Sequence, residues 1–387
     1  MKEKYGDILK FVDELLARST PAHPAWNVEH ALEKAPPKWN YIDGCMIKAV
    51  LDLYYATNDK KYLDFARGFI DFFVDESGKI LGYDVEEYNC DNINMGKVLF
   101  DLYEIFGDEK YRLALDLQYS QLQGQPRISA GNFWHKLIYP NQVWLDGLYM
   151  VQPFYMGYEK RFSEARNVAD CIRQFQNAAA AMKDAKTGLF YHGYDESRKM
   201  FWADRISGLS ENFWSRSMGW YAMALVDTAA KLEAEYAAEI GILTAQLKEL
   251  LDALLKVQDA DSKLFYQVTD KGHLDGNYLE TSGSCAIAYA MMKGARLGYL
   301  PDAYFDHGLE IFHGVMRHKL VLDDGKFALK DICLVAGLGG MPGKGDYKLR
   351  DGTFEYYISE PRVDNDAKGV APFLFSFAEV LQRGKGS

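Results

Sequence analysis

Three short stretches of this chain gather side chains that can move protons, hold anions and stack on rings. Phe133-Trp134-His135-Lys136 sets an indole, an imidazole and an ammonium side by side. In Trp144-Leu145-Asp146-Gly147-Leu148-Tyr149-Met150 a carboxyl sits among aromatic residues, and Trp214-Ser215-Arg216-Ser217-Met218-Gly219-Trp220 places a guanidinium between two indoles. Asp91, before Gly96, and His192, in Phe190-Tyr191-His192-Gly193, add a second carboxyl and a second imidazole. A carbohydrate acid suits this mixture. Rings stack on the sugar, a guanidinium clamps a carboxylate, and a carboxyl moves protons. Each residue also has a plainer reading. Asp, Asn, Ser and Thr are preferred helix caps, Arg216 could serve an internal ion pair, and large cores consume aromatic residues.

Other chemistries lack their residues. The eight histidines (23, 30, 135, 192, 273, 307, 313 and 318) form no His-Glu-x-x-His or Cys/His array. There is no Gly-x-Ser-x-Gly, no Walker loop and no Gly-x-Gly-x-x-Gly. His307, His313 and His318 read as solvated helix positions. A net charge of −11 and a pI near 5.3 argue against nucleic acid as a partner. No run of 18 apolar residues is present, so no membrane span is expected. Five cysteines (Cys45, Cys90, Cys171, Cys285 and Cys333) without a Cys-x-x-Cys read as buried thiols in a reducing cytoplasm. Met1 to Asp7 carries no apolar signal segment, which also fits a cytoplasmic chain. The expected oligomeric state is a monomer or weak homodimer.

Helices must position these residues. Ile47 to Tyr54 repeats apolar side chains at i, i+3, i+4 and i+7, Lys61 to Val74 does the same, and Asp7 to Ala17 reads as a first helix. Gly188–Gly193 and Leu264–Val268 alternate like hairpin pieces. A glycine opens an apolar helix at Gly44, Gly96, Gly147, Gly219, Gly283 and Gly369, in steps of 52, 51, 72, 64 and 86 residues. Each step holds a helix, a turn and a second helix. Six helical hairpins that cannot bury themselves alone should close into a ring, an all-α (α/α)6 barrel with short β hairpins in its loops. The pattern consumes residues 1–387 as a single domain. The missing Cβ lets inner helices approach. Polar residues precede these glycines (Asp43, Asp91, Asp146, Ser215–Ser217, Thr281–Ser282, Asp364–Asp366) and should converge on one end of the barrel. Long loops at 184–212, 259–282 and 322–366 should rim that mouth.

Trp144-Leu-Asp-Gly-Leu-Tyr-Met150, Trp214-Ser-Arg-Ser-Met-Gly-Trp220, Trp39-Asn-Tyr-Ile-Asp-Gly44 and Ser359-Glu-Pro-Arg-Val-Asp-Asn-Asp-Ala-Lys-Gly-Val370 resemble the signatures of the unsaturated rhamnogalacturonyl hydrolases, glycoside hydrolase family 105. Members adopt the (α/α)6 barrel. The resemblance implies that the chain removes a 4,5-unsaturated galacturonyl residue from short rhamnogalacturonan oligosaccharides, by hydrating the C4–C5 double bond. It implies Asp146 as general acid and base, Asp91 as the second family aspartate, and no need of a metal or organic cofactor. It implies a substrate-contacting set of Trp39, Tyr41, His135, Lys136, Trp144, Met150, His192, Trp214, Arg216 and Trp220. Ser217-Met218 departs from the Gly-Asn more usual in this motif, which bears on substrate preference. An unsaturated glucuronyl hydrolase shares much of the pattern. An ordinary inverting glycosidase would need a second carboxylate to activate water, and a sugar-binding protein would leave Asp146 and Asp91 without a task.

Overall fold

The computed structural model describes residues 5–323, 325–340 and 349–384. Among the described residues, fourteen α-helices lie in this order: α1 (Tyr5–Ala17), α2 (Val28–Glu33), α3 (Tyr41–Thr57), α4 (Lys60–Phe73), α5 (Lys97–Phe106), α6 (Glu109–Gly124), α7 (Leu145–Phe162), α8 (Val168–Met182), α9 (Ser215–Ala229), α10 (Ala237–Leu255), α11 (Thr281–Arg296), α12 (Ala303–His318), α13 (Phe354–Ser359) and α14 (Ala367–Arg383). A 3-10 segment, Cys90–Gly96, leads into α5. The reading of Met1 to Lys4 at the start of the chain lies outside the described residues.

Six helices form a closed inner ring. α3 packs on α14 and on the 3-10 segment, α7 packs on that segment and on α9, and α11 joins α9 to α14. Outside them, α4, α6, α8, α10 and α12 each pack on the inner helix they follow. This is an (α/α)6 toroid. The two layers differ in periodicity. α4 buries one stripe (Tyr62, Leu63, Ala66, Phe69, Ile70, Phe73), as an outer helix should. α9 buries Ser215 through Val226 without a break, because the bore and the outer layer cover both its faces.

The sixth hairpin is not local. No helix follows α14 among the described residues, and α1 takes the remaining outer place. Its Tyr5 ring meets Phe377 at 5.5 Å, and its Asp13 pairs with Lys61 of α4 at 2.9 Å. The inner helices do crowd at their glycines. A Cβ on Gly44 would lie 2.6 Å from the Met95 Cα, and one on Gly283 would lie 2.8 Å from the Arg216 amide.

Chain direction explains where the loops gather. Links from inner to outer helices are short turns, whereas links from outer to inner helices run long (74–96, 125–144, 183–214, 256–280 and 319–366). All long links therefore meet at the mouth formed by the N-terminal ends of the inner helices. Four antiparallel two-stranded sheets brace them: β1 (Gln142–Trp144) with β2 (Gly193–Asp195), β3 (Phe265–Tyr266) with β4 (Leu279–Glu280), β5 (Leu320–Asp323) with β6 (Lys326–Leu329), and β7 (Ile332–Cys333) with β8 (Arg362–Val363). Gly188–Gly193 does form hairpin pieces: Phe190 bridges Lys183 antiparallel across a local turn, and Gly193 opens β2 opposite Trp144.

All five cysteines are buried free thiols. His318 is exposed, whereas His307 and His313 are half-buried on α12. Among the described residues, no helix is long and apolar enough to cross a membrane.

Candidate active site

A well of about 1000 Å³ opens at the long-loop mouth. Eleven of the sequence-predicted residues line it: Tyr41, Asp91, His135, Lys136, Trp144, Asp146, Met150, His192, Trp214, Arg216 and Trp220. Local structure places the reactive groups. Trp144 ends β1, so Asp146 falls in the first turn of α7. Arg216 is the second residue of α9. The Asn89 side chain accepts the Asp91 amide and opens the 3-10 segment. The loop before α7 docks there, with the Cys90 amide donating to the His135 carbonyl at 3.0 Å.

Asp91 is therefore held by one cation and one imidazole. Lys136 Nζ lies 2.6 Å from its Oδ2 and His135 Nε2 lies 3.5 Å from its Oδ1. Burial would raise the Asp91 pKa, but Lys136 and His135 outweigh it and hold the carboxyl below its ordinary value. Burial pushes His135 down to about 4 against the pull of Asp91, so the imidazole is neutral at neutral pH. Lys136 moves up because Asp91 overrides its own desolvation. The His135 and Tyr139 rings both stack on Trp144, at 4.4 and 4.9 Å between centroids, giving the well a flat aromatic wall.

Asp146 meets no cation of this kind. Its Oδ2 lies 3.1 Å from His192 Nε2, without the alignment of a hydrogen bond. His192 is fully buried, and its Nδ1 shares a 2.8 Å hydrogen bond with the Tyr357 hydroxyl. Trp214 covers the imidazole at 4.7 Å. A tyrosine, an imidazole and a carboxyl thus stand in line, with the carboxyl facing the well.

Of the two sequence readings of Arg216, the internal ion pair is present. Arg216 lines the well, and it is tied down from behind. Its Nε donates to Ser282 Oγ at 2.6 Å, its Nη2 donates to the Cys333 carbonyl, and the same nitrogen lies 3.6 Å from Glu280 Oε1. Glu280 is fully buried and also accepts the Gly283 amide at 2.6 Å and the Cys333 amide at 3.0 Å. The guanidinium sits 5.1 Å from the Trp214 ring centroid.

Trp39 does not shape the well wall. It is fully buried with its edge on Phe73, and its Nε1 donates to the Asn92 carbonyl at 2.9 Å. Its size and apolar surface are better served behind the turn that carries Asp91. Other polar residues at the helix starts are also spent on structure. Asp43 accepts from Trp26, Asn27 and Asn40. Asp366 caps α14 and pairs with buried Lys368 at 3.1 Å. Backbone capping and internal pairing explain them without a ligand.

Tyr139, Tyr357, Arg350, Glu29, Glu33 and the 335–337 stretch were not singled out from sequence. Arg350, Glu29, Glu33 and 335–337 line the well, and Arg350 Nε lies 3.6 Å from Glu360. The expected rim loop 322–366 supplies the stretch and the arginine. The loop 184–212 supplies His192. The loop 259–282 instead sends Glu280 behind Arg216. No local spacing marks Tyr357, which reaches His192 across 165 residues of chain. Among the described residues, no three His, Cys, Asp or Glu groups meet in a metal-holding cluster.

The toroid, with a carboxyl-bearing aromatic well at the helix N-termini, is an (α/α)6 architecture shared with solved glycoside hydrolases. Residues 16–383 match Glycosyl Hydrolase Family 88. A family 105 glycoside hydrolase from C. acetobutylicum ATCC 824 superposes with a TM-score of 0.85 and 43% identity, over 95% of this chain and 99% of that one. Protein Atu3128 of Agrobacterium fabrum is 40% identical over 59% of this chain and 97% of its own length. The unsaturated rhamnogalacturonyl hydrolase YesR of Bacillus subtilis is 24% identical over 67% of this chain and 72% of its own. The chain belongs to glycoside hydrolase family 105.

Proposed function

We propose that the chain hydrolyses short oligosaccharides bearing a 4,5-unsaturated galacturonyl residue linked to rhamnose, and releases that residue. The observation that carries this reading is the inequality of the two carboxyls. Asp91 is held ionised by Lys136, so it suits binding of sugar hydroxyls and serves poorly as an acid. Asp146 faces the same well beside an imidazole alone. A single proton-carrying carboxyl suits an enol ether, which needs one proton and one water. Ordinary glycosidases divide the work between two carboxyls.

In this scheme Asp146 gives its proton to C4, and the positive charge that develops at C5 is shared with the ring oxygen. Water adds at C5, and Asp146, now a carboxylate, takes up its proton. The product is a hemiketal. Its C5–O bond opens to a ketone and leaves a hydroxyl on C1, which still carries the aglycone. That hemiacetal collapses to an aldehyde and frees the rhamnose end as an alcohol. One water is consumed overall. The Tyr357–His192 contact holds the imidazole against Asp146 and restricts the carboxyl's rotation. Arg216, fixed by Glu280 and Ser282, offers the uronate carboxylate a preorganised cation. Trp144 and Trp214 supply faces for the sugar ring. The similarity to YesR supports the galacturonyl-rhamnose choice. The five buried free thiols support action in a reducing compartment.

The test follows the ultraviolet absorbance of the C4–C5 double bond with unsaturated galacturonyl-rhamnose. Absorbance should fall, and turnover in deuterated water should leave one deuterium on C4. Cleavage of the saturated disaccharide at a comparable rate, or product without label on carbon, would refute hydration. Faster loss with an unsaturated glucuronyl disaccharide would transfer the assignment to that substrate.

A further inference from the structure

The bore of the ring holds a second cavity, of about 530 Å³, that shares no lining residue with the catalytic well. Its walls come mainly from the later turns of the inner helices. They include Lys48 and Asp52 of α3, Asp227 of α9 with Lys231 just beyond, and Lys293 of α11; Lys97, at the head of α5, completes the set.

The charges there do not balance. Lys48 Nζ lies 2.5 Å from Asp52 and 3.4 Å from Asp101. Lys293 Nζ lies 2.7 Å from Asp227, which also accepts the Tyr289 hydroxyl at 2.8 Å. Lys97 and Lys231 have no carboxylate within 4.0 Å among the described residues. Lys97 is only 9% exposed. Its Nζ donates to the Tyr149 carbonyl at 2.8 Å and lies 3.4 Å from the Tyr149 ring centroid. An ammonium carries three donors, and beyond the Tyr149 carbonyl and ring this one finds no further acceptor among the described residues. Burial holds this lysine down at about 7, with Asp227 opposing and Lys231 and Lys48 adding to the fall. Cations are favoured at helix C-termini, which accounts for Lys231 and Lys293, and Lys48 is held by Asp52 and Asp101. That argument fails for Lys97, the first residue of α5, where the helix dipole disfavours a cation.

We propose that this lower cavity binds a small oxyanion group, a phosphate or a sugar carboxylate, between Lys97 and Lys231. The bound group would accept the spare donors of Lys97 and supply the counter-charge the cavity lacks. The aromatic side chains of Tyr149, Tyr289, Phe100 and Phe375 give the same cavity room for a sugar ring.

Isothermal titration calorimetry tests the site without any turnover measurement, so its outcome is independent of the catalytic reading. Sodium phosphate and sodium galacturonate are titrated separately into the wild type, Lys97→Met and Lys231→Met, at constant ionic strength with sodium chloride as the blank. Methionine keeps the apolar stem, and thermal unfolding of each variant establishes that it is folded. At least one probe should bind the wild type with a stoichiometry of one and weaken about tenfold or more in both variants. Lysine-dependent binding of phosphate alone assigns a free oxyanion, and lysine-dependent binding of galacturonate assigns a sugar acid. Binding that survives both variants belongs to the upper well and overturns the proposal, as does binding of neither probe. If Lys97→Met fails to fold, Lys231→Met at the exposed rim decides the matter alone.

Discussion

The two cavities along the bore are built by the same inner helices, yet they treat charge in opposite ways. Near the mouth nearly every ion has its complement: Asp91 with Lys136, Arg216 with Glu280, Lys368 with Asp366 and Glu29. Asp146 is an exception, a carboxyl that meets only an imidazole among the described residues. At the lower end the exceptions among the described residues are two ammonium groups, buried Lys97 and exposed Lys231. The comparison teaches that paired ions in this barrel serve as scaffold. The group left without an opposite charge is the one free to exchange a proton or take a ligand.

The contrast breaks most readily at Asp146. Asp146→Asn should lose at least about a hundredfold in kcat, the usual scale for a proton-transfer group, while its Tm stays near that of the wild type. Retained turnover would remove the distinction between the two aspartates. His135 gives the next effect, on stability. Its folded pKa of about 4 lies below the ordinary 6.5. As pH falls below 6.5 the unfolded chain takes up a proton that the folded imidazole refuses, so stability is complete above 6.5 and falls until about 4. The loss should be on the order of 2–3 kcal/mol. His135→Gln should flatten that limb in a series of denaturant titrations, and an unchanged limb would place its origin elsewhere.

Asp91→Asn sharpens the scaffold side. It leaves the Lys136 ammonium without its carboxylate, so kcat/KM should fall about tenfold and stability by about 2 kcal/mol. A loss of kcat as deep as that of Asp146→Asn, with stability intact, would make Asp91 a proton carrier. Lys97→Met tests the lower end with the opposite sign. Removing a buried ammonium that lacks a counter-ion should raise stability by about 1 kcal/mol at neutral pH. Wild-type stability should rise as pH climbs from about 7 toward 10.5, because the unfolded lysine keeps a proton that the folded one has shed. Methionine should abolish that rise. The smallest catalytic effect is expected from Trp39→Phe. Tm should fall with the loss of buried volume and of the bond to the Asn92 carbonyl, while kcat changes by no more than about threefold.

Much of this molecule was legible along the chain, for reasons that are local. Helical periodicity, caps and glycine spacing depend on residues within a few turns, and they outlined the toroid and the mouth where the loops gather. The same logic placed Asp146, Asp91 and Arg216 at helix starts, and the aromatic residues beside them at the wall. It failed where a side chain's fate depends on what arrives from elsewhere. Trp39 sits two residues before Tyr41, yet one is buried behind a turn and the other faces the well. Asp43 has the same sequence context as Asp146, an aspartate before a glycine, yet three donors from Trp26, Asn27 and Asn40 consume it.

By itself, then, the chain of residues determined the helices, their six-fold recurrence and the chemical groups available at their ends. Tertiary structure alone decided which of those groups are paired. Glu280 and Cys333 come to Arg216, Tyr357 comes to His192, and α1 closes the ring from the opposite terminus. Helix formation is governed by short-range hydrogen bonds and side-chain periodicity. Charge compensation is governed by distance in space, which only the closed barrel defines.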